Sequence, residues 1–174
     1  MLGRYDFFPS IFHGKAEFEY NLDKGKLQVA IIKTLLKLNS QSAKVSEVTG
    51  LIDYEMQVYF EFGFAEGKAF TFIDEDEANS ILREIEKEPF TLMDFFCVLK
   101  YYKTVDGTLK PLKFDYSLIR FEFEDERLSV LYFHERGTKR IEFSQLIKFI
   151  LSNMLSILGR RSRKGIKEVS LLEA

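Results

Sequence analysis

Apolar side chains alternate with polar ones in two long stretches, and this alternation predicts antiparallel strands. Between residues 119 and 124 every odd position is apolar and every even position is charged. From Tyr54 to Phe64 six alternate positions are apolar, which places Phe60 and Phe62 on one dry face. Similar but shorter patterns extend the prediction to strands over residues 12–21, 54–64, 69–73, 117–124, 128–134 and 139–143.

Apolar residues at helical spacing predict a broad, buried helix over residues 144–158. Ser144 is a suitable N-cap, because its hydroxyl can accept a free backbone N–H, and Gly159 is a suitable end. On a helical wheel Ile150 and Met154 belong to an apolar face that covers about half of the circumference. Such a wide face is typical of a helix that lies across a sheet.

Three further helices are predicted. Residues 23–39 are nearly as apolar as the last helix, so we expect both to cover the dry face of the sheet. Residues 74–87 and 91–103 carry narrower apolar stripes, which predict peripheral helices. Residues 40–52 fit neither period clearly, although their β-branched side chains lean towards a strand.

Together these elements predict an α+β fold. We expect a mostly antiparallel curved sheet with two buried helices on one face and two peripheral helices. A chain of 174 residues is long enough for one domain with a substantial core. The predicted division is a single α+β domain over residues 1–158 and a basic C-terminal tail over residues 159–174.

The composition is typical of a globular protein, and we expect no association with a membrane. Hydrophobic residues make up 46% of the chain and charged residues 30%, and no uncharged apolar run approaches about 18 residues. The N-terminus lacks the basic and apolar pattern of a secretory leader, and the lone Cys97 suits a reducing compartment. We therefore expect a cytoplasmic protein. Its net charge of −2 gives the molecule as a whole no attraction for nucleic acid.

Catalysis is weakly indicated, and no cofactor or metal is predicted. Cys97, His13 and His134 are widely separated and match neither a zinc spacing nor a nucleophile with its base. The acidic residues 74–77 are typical of a helix cap, and no glycine-rich phosphate loop is present. A metal-dependent hydrolase would have to use carboxylates that lie two apart on strands, and these are Glu17 with Glu19 and Glu122 with Glu124.

The C-terminal segment carries five positive charges and no negative one between residues 159 and 167. Without those five charges the net charge of −2 would be −7, so positive charge is segregated here. Such a run indicates contact with nucleic-acid phosphates, a solvated tail, or contact with an acidic neighbouring subunit. The residues predicted to contact nucleic acid are Arg160, Arg161, Arg163, Lys164 and Lys167.

Three apolar residues are candidates for a partner interface. Phe149 lies among the polar positions of its helix, so it belongs either to a second packing layer or to a subunit contact. Leu171 and Leu172 are apolar enough to dock onto a partner. We therefore expect self-association.

The function favoured by the sequence is a cytoplasmic, non-enzymatic binding or assembly module whose basic tail contacts nucleic acid or a partner protein. The first alternative is a metal-dependent hydrolase that uses strand carboxylates. The second is a carrier of an apolar ligand within the aromatic core.

Overall fold

One antiparallel sheet organises the protein. The structure, a computed structural model, describes residues 2–51 and 55–173. In chain order the elements are β1 (Gly3–Arg4), β2 (Gly14–Tyr20), α1 (Lys24–Asn39), β3 (Ser42–Lys44), α2 (Val45–Thr49), β4 (Met56–Glu66), β5 (Ala69–Phe72), α3 (Glu75–Lys87), β6 (Leu92–Val105), β7 (Thr108–Pro111), β8 (Asp115–Glu124), β9 (Arg127–Arg136), α4 (Phe143–Leu158), α5 (Arg160–Arg163) and β10 (Ile166–Glu173). The strands lie in the order β1-β5-β4-β6-β8-β9-β2-β10, with β3 beside β4 and β7 beside β6.

The predicted α+β fold with a curved antiparallel sheet is confirmed. All neighbouring strands run antiparallel. Helix α1 lies between α3 and α4, and this layer covers one face of the sheet, which we call the inner face. The core lies between them, and Phe60, Phe62, Ile150 and Met154 are all buried in it, as the two periodicities predict. Burial of such side chains contributes about 1.5–3 kcal/mol each to stability.

The predicted peripheral helix over residues 91–103 is wrong, because this segment forms β6, the central strand of the sheet. Strand β6 pairs with β4 on one side and with β8 on the other. Phe95 and Leu99 face the core, whereas Phe96 and Val98 face the opposite, outer side of the sheet. A segment that is apolar on both strand faces also satisfies helical spacing, so periodicity alone does not separate the two.

The structure defines two short elements within residues 42–49, and it differs from the prediction at the start of α4. Residues 42–49 form the short β3 and α2, where no clear element is predicted. Tyr54, the predicted first residue of the strand over 54–64, lies outside the described residues. Helix α4 is capped by Glu142 rather than Ser144, and the Gln145 side chain completes the capping box.

The segment predicted as a basic tail forms α5 and β10, and β10 pairs along the whole of β2. Ile166 and Leu171 pack from β10 against the core, and a bulge interrupts the register between Glu168 and Ser170. At Gly165 the chain passes so close to Leu22 that a Cβ atom would collide with it. The bulge and the charged residues mask the alternation of this strand, which is why the sequence pattern misses it.

An extended segment, residues 5–13, crosses the outer face, and we call it the strap. The Tyr5 hydroxyl donates a hydrogen bond to Asp94, and burial, followed by this bond, raises the pKa of Tyr5 to about 12. Asp94 also accepts two hydrogen bonds from Arg120, at 2.7 and 2.9 Å. The Phe8 ring lies 4.8 Å from the Arg120 guanidinium. The strap therefore covers a charge pair in which both oxygens of the buried Asp94 carboxylate are hydrogen-bonded, as burial of charge requires.

The predicted strand over residues 139–143 is also wrong, because the side chain of Asp115 holds this segment as a loop. Asp115 is buried and accepts hydrogen bonds from the Tyr101 hydroxyl at 2.6 Å and from the backbone N–H groups of Lys139 and Arg140 at 2.8 and 3.0 Å. Gly137 has a φ of +117°, and a Cβ atom there would collide with Asp115. The loop thus depends on one carboxylate.

We expect the Asp115→Ala substitution to lower the free energy of unfolding by about 3 kcal/mol or more, because it leaves buried donors without an acceptor. Urea titration followed by circular dichroism measures the loss. The matched control is Asp6→Ala, which removes an exposed carboxylate of the strap and should change stability by less than about 0.5 kcal/mol. Equal midpoints for the two variants would show that the loop does not need Asp115.

Candidate functional site

Partly exposed aromatic side chains gather on the outer face where β4, β6 and β7 meet. The register pairs Tyr59 with Lys100 and Gln57 with Tyr102, so Tyr59 and Tyr102 are diagonal neighbours on one face. Their rings meet edge to face at 5.3 Å and 87°. The Phe114 ring lies 5.9 Å beyond Tyr102. We call the resulting group the aromatic platform, and it consists of Tyr59, Lys100, Tyr102, Leu109 and Phe114.

A tight turn between β6 and β7 brings Leu109 to the platform. Asp106 and Gly107 both have positive φ, at 51° and 77°, as the two central residues of a type I′ hairpin turn require. Strand β7 then pairs Leu109 with Thr104, which is on the same face as Tyr102. The Asp-Gly dipeptide thus sets the geometry of the platform through local backbone preference.

A cavity of 310 Å³ opens beside the platform, lined by Tyr59, Lys100, Tyr102 and Leu109 among others. The floor of the cavity is formed by residues 60–62 of β4, which lie between the part of β4 that pairs with β3 and the part that pairs with β5. There the Asn39 side chain accepts a hydrogen bond from Phe62 N at 2.7 Å and donates one to Phe62 O at 2.9 Å. The Asn39 amide therefore makes the two hydrogen bonds to Phe62 that a neighbouring strand would otherwise make. No strand of the described residues fills this space, and the cavity has a volume typical of ligand sites.

The segment that carries most of the platform is rich in lysine. Residues 100–113 contain four lysines and one aspartate. Lys100 forms an ion pair with Glu61, and its ammonium lies 6.0 Å from the Phe114 ring. Lys103, Lys110 and Lys113 are exposed on the hairpin and the loop that follows it. The register pairs Lys103 with Lys110 on the face away from Tyr102. Lys100 is therefore the lysine of β6 that shares the face of the rings, and Lys113 precedes Phe114 in the chain. An ammonium group beside flat rings suits a ligand with both rings and negative charge.

The basic residues predicted to contact nucleic acid lie at the diagonally opposite corner, on α5 and at the start of β10. Lys164 and Lys167 line a cavity of 540 Å³ together with Glu19, Asp125 and Glu126. Acidic side chains therefore border the end of the segment that meets the sheet. All five predicted side chains are exposed: Arg160, Arg161, Arg163, Lys164 and Lys167.

The three predicted interface residues have different surroundings. Phe149 is half-buried and stacks on the Phe60 ring at 5.7 Å and 12°, so it packs within the chain. Leu171 packs against the core from β10. Leu172 points to the outer face and is 64% exposed, so it is the one of the three that offers most of its surface to a partner.

The cysteine is buried in the sheet, and the two histidines are hydrogen-bonded within the protein. Cys97 is fully buried in β6, and burial raises the pKa of its thiol. The structure brings together the two histidines that are far apart in sequence, since His134 N donates to His13 Nδ1 at 2.9 Å. The His134 Nε2 atom lies 3.2 Å from Gly137 O. These contacts hold both rings where β2 and β9 meet.

Two of the four strand carboxylates of the hydrolase alternative, Glu17 and Glu19, are paired with bases where β2 meets β9, whereas Glu122 and Glu124 lie on β8. Glu17 forms ion pairs with Lys15 at 3.1 Å and with Arg127 at 3.3 Å. Glu19 lies 4.0 Å from Arg127. Within residues 2–51 and 55–173, no three side chains of His, Cys, Asp or Glu come close enough to hold a metal ion. For the carrier alternative, the cavity between α4 and the sheet measures only 10 Å³, about one water probe.

An acidic surface covers the exposed side of α3. Between residues 74 and 88 seven carboxylates outnumber two basic side chains, which gives a net charge of −5. Burial, followed by the neighbouring Glu66 carboxylate, raises the pKa of Glu77 to about 7. Among the described residues Glu77 Oε1 is the one buried side-chain oxygen or nitrogen without a hydrogen-bond partner. The acidic surface is therefore crowded with like charge.

Sequence reasoning misses the platform, although a local signal for it exists. Reading residues 91–103 as a helix separates Lys100 from Tyr102, whereas strand alternation puts them on one face. The aromatic and β-branched content of this segment, together with the Asp-Gly turn after it, favours a strand and a hairpin. The position of Phe114 has no periodic signal, because it lies in the loop between β7 and β8.

We expect the Glu77→Gln substitution to stabilise the protein at pH 8 and to have little effect near pH 4. The folded state holds the Glu77 proton up to about pH 7 and the unfolded chain only up to about 4.5, so this contribution is full below 4.5 and is lost as pH rises through 7. Thermal melting measures the change, at about 2–4 °C for each kcal/mol. Glu75→Gln, in the same turn but exposed, is the control. A Glu77→Gln gain that is the same at both pH values contradicts the prediction.

Among the described residues no helix combines the length and the apolar character that crossing a membrane requires. No protein-family model, curated protein or solved structure matches the chain.

Proposed function

We propose that the protein is a binding module for single-stranded nucleic acid and that the aromatic platform is its binding surface. The observation that carries this proposal is the partly exposed, edge-to-face pair of Tyr59 and Tyr102 beside Lys100 on the outer face of the sheet. Unpaired bases stack on such rings, and an ammonium group beside the rings attracts phosphates.

The mutual contact of the tyrosines supports stacking as the binding mode. Edge-to-face packing fixes one ring against the other, so little rotational freedom is lost when a base covers the exposed ring face. Phe114 extends the row of rings, and Leu109 closes one side of the cavity with an apolar wall. The row offers room for more than one base.

The form of the platform favours single strands over a duplex. In a duplex the faces of the bases are covered by their neighbours, so exposed rings can stack only on bases that are unpaired.

The basic segment on α5 is less suited to this role as the main site. It offers charge, but Tyr20, the ring that lines the adjacent cavity, is buried. Contact with phosphates there would be independent of base identity and of strandedness. Deleting the segment would also remove β10 from the sheet, so charge substitutions are the appropriate test of its contribution.

We expect wild-type protein to bind labelled single strands of about 12 nucleotides, a length within the usual range for one sheet-based site. The Tyr59→Ala and Tyr102→Ala substitutions should each weaken binding about tenfold, because each removes one stacking surface. Fluorescence anisotropy at low salt measures the affinities, and circular dichroism verifies that the variants are folded.

The matched control is Phe7→Ala, which removes a ring that is 75% exposed on the strap, outside the platform. Its affinity should equal that of the wild type. The proposal fails if this control weakens binding as much as Tyr102→Ala does, if a duplex of the same sequence binds as tightly as the single strand, or if the wild type does not bind at low salt.

We expect the Lys113→Ala substitution to reduce the salt dependence of binding. Each phosphate neutralised on a single strand contributes about −0.7 to the slope of log affinity against log salt concentration. Removing one such contact should make the slope shallower by about this amount, whereas Tyr59→Ala should lower affinity at every salt concentration and leave the slope unchanged. If Tyr59→Ala makes the slope shallower and Lys113→Ala leaves it unchanged, the phosphate contacts are made by residues other than Lys113.

A further inference from the structure

Two surfaces of opposite charge lie on opposite edges of the molecule. The acidic surface consists of α3 and its flanking residues, 74–88, with a net charge of −5. The basic surface consists of residues 160–167, with five positive charges and no negative one. Helix α3 follows β5, next to the last strand β1 on one side, whereas α5 leads into β10, the last strand on the other side.

The two surfaces cannot reach each other within one chain, because α1 and α4 lie between them in the helical layer. Few of their charges are neutralised locally. Among the ion pairs of the described residues, the acidic surface contains one, between Glu84 and Lys87 at 3.4 Å, and the five cations of the basic surface form none. Apart from the half-buried Glu77, the unneutralised charges of each surface therefore face solvent.

Carboxylates crowd the acidic surface near the start of α3. The Glu77 and Glu66 carboxylates adjoin each other, and Asp74 adds a third negative charge. Like charges at this spacing repel, and a partner that brings positive charge relieves the repulsion. The basic surface of the same protein carries a charge that is equal and opposite.

We propose that the protein self-associates head to tail, with the basic surface of one copy against the acidic surface of the next. The contact is heterologous, since it joins two different surfaces, so it leads to an open chain or a closed ring. It rests on charge complementarity and is independent of the aromatic platform. Attraction between exposed charges is screened over about 8 Å at physiological salt, so association strengthens as salt is lowered.

Two charge-reversed variants test this arrangement. The first, Arg160→Glu with Arg161→Glu, reverses the basic surface and keeps Arg163, whose Nε atom donates to Leu155 O at the end of α4. The second, Glu84→Lys with Glu86→Lys, reverses part of the acidic surface near the C-terminus of α3, where cations suit the helix dipole. The control, Lys44→Glu with Lys68→Glu, changes the net charge of the molecule as the first variant does, but at exposed sites elsewhere.

Sedimentation velocity on full-length protein without nucleic acid gives the readout. We expect the wild type and the control to form chains or rings at about 50 mM salt, with a dissociation constant at least about tenfold weaker at 500 mM. Each reversed variant alone should be monomeric. An equimolar mixture of the two should stop at a 1:1 dimer, because only the basic surface of the second and the acidic surface of the first remain intact.

The proposal is overturned if the wild type stays monomeric at low salt, if either reversed variant assembles as the wild type does, or if their mixture stays monomeric. It is also overturned if reversing the basic surface leaves assembly intact and abolishes oligonucleotide binding, which would make that surface a nucleic-acid site. Failure of Tyr59→Ala or Tyr102→Ala to weaken oligonucleotide binding bears on the platform and not on this contact.

Discussion

Strand β6 is apolar on both faces, so the centre of the sheet has to be covered on both sides. On the inner face α1 and α4 do this with a layer of aliphatic and aromatic side chains. On the outer face the chain has no second helical layer in the described residues, and the strap crosses the sheet instead. Tyr5 and Phe8 anchor it over Asp94 and Arg120. Shielding β6 from water is the constraint that links these features.

The strap covers only part of the outer face, and the uncovered part is where binding is proposed. Beyond the strap the rings of Tyr59, Tyr102 and Phe114 pack on one another instead of under another layer. This arrangement retains part of the benefit of aromatic burial and leaves ring faces exposed to a ligand. The charged surfaces at the two edges of the molecule lie outside this arrangement, so the proposed assembly and the proposed ligand binding use separate parts of the protein.

The sequence predicts elements well where one face is wet and the other is dry. The alternation around Phe60 and the helical stripe around Ile150 lead to the correct fold class, because burial selects one period. It fails where both faces are covered, as at Phe96, and where charge and a bulge obscure the period, as in residues 166–173. The strap has no period at all, since single long-range contacts such as Tyr5 to Asp94 hold it. The candidate site depends on the first of these failures, because Lys100 and Tyr102 lie on β6, and it therefore emerges only from the structure.

Hydrogen–deuterium exchange of the native protein, read by mass spectrometry, tests the central role of β6 most directly. The account predicts that the amides of residues 93–101 are among the slowest to exchange, because they are hydrogen-bonded within the sheet and shielded by the helices and the strap. Exchange in this segment as fast as in α3, at the periphery, would contradict a central strand and remove the basis for the platform.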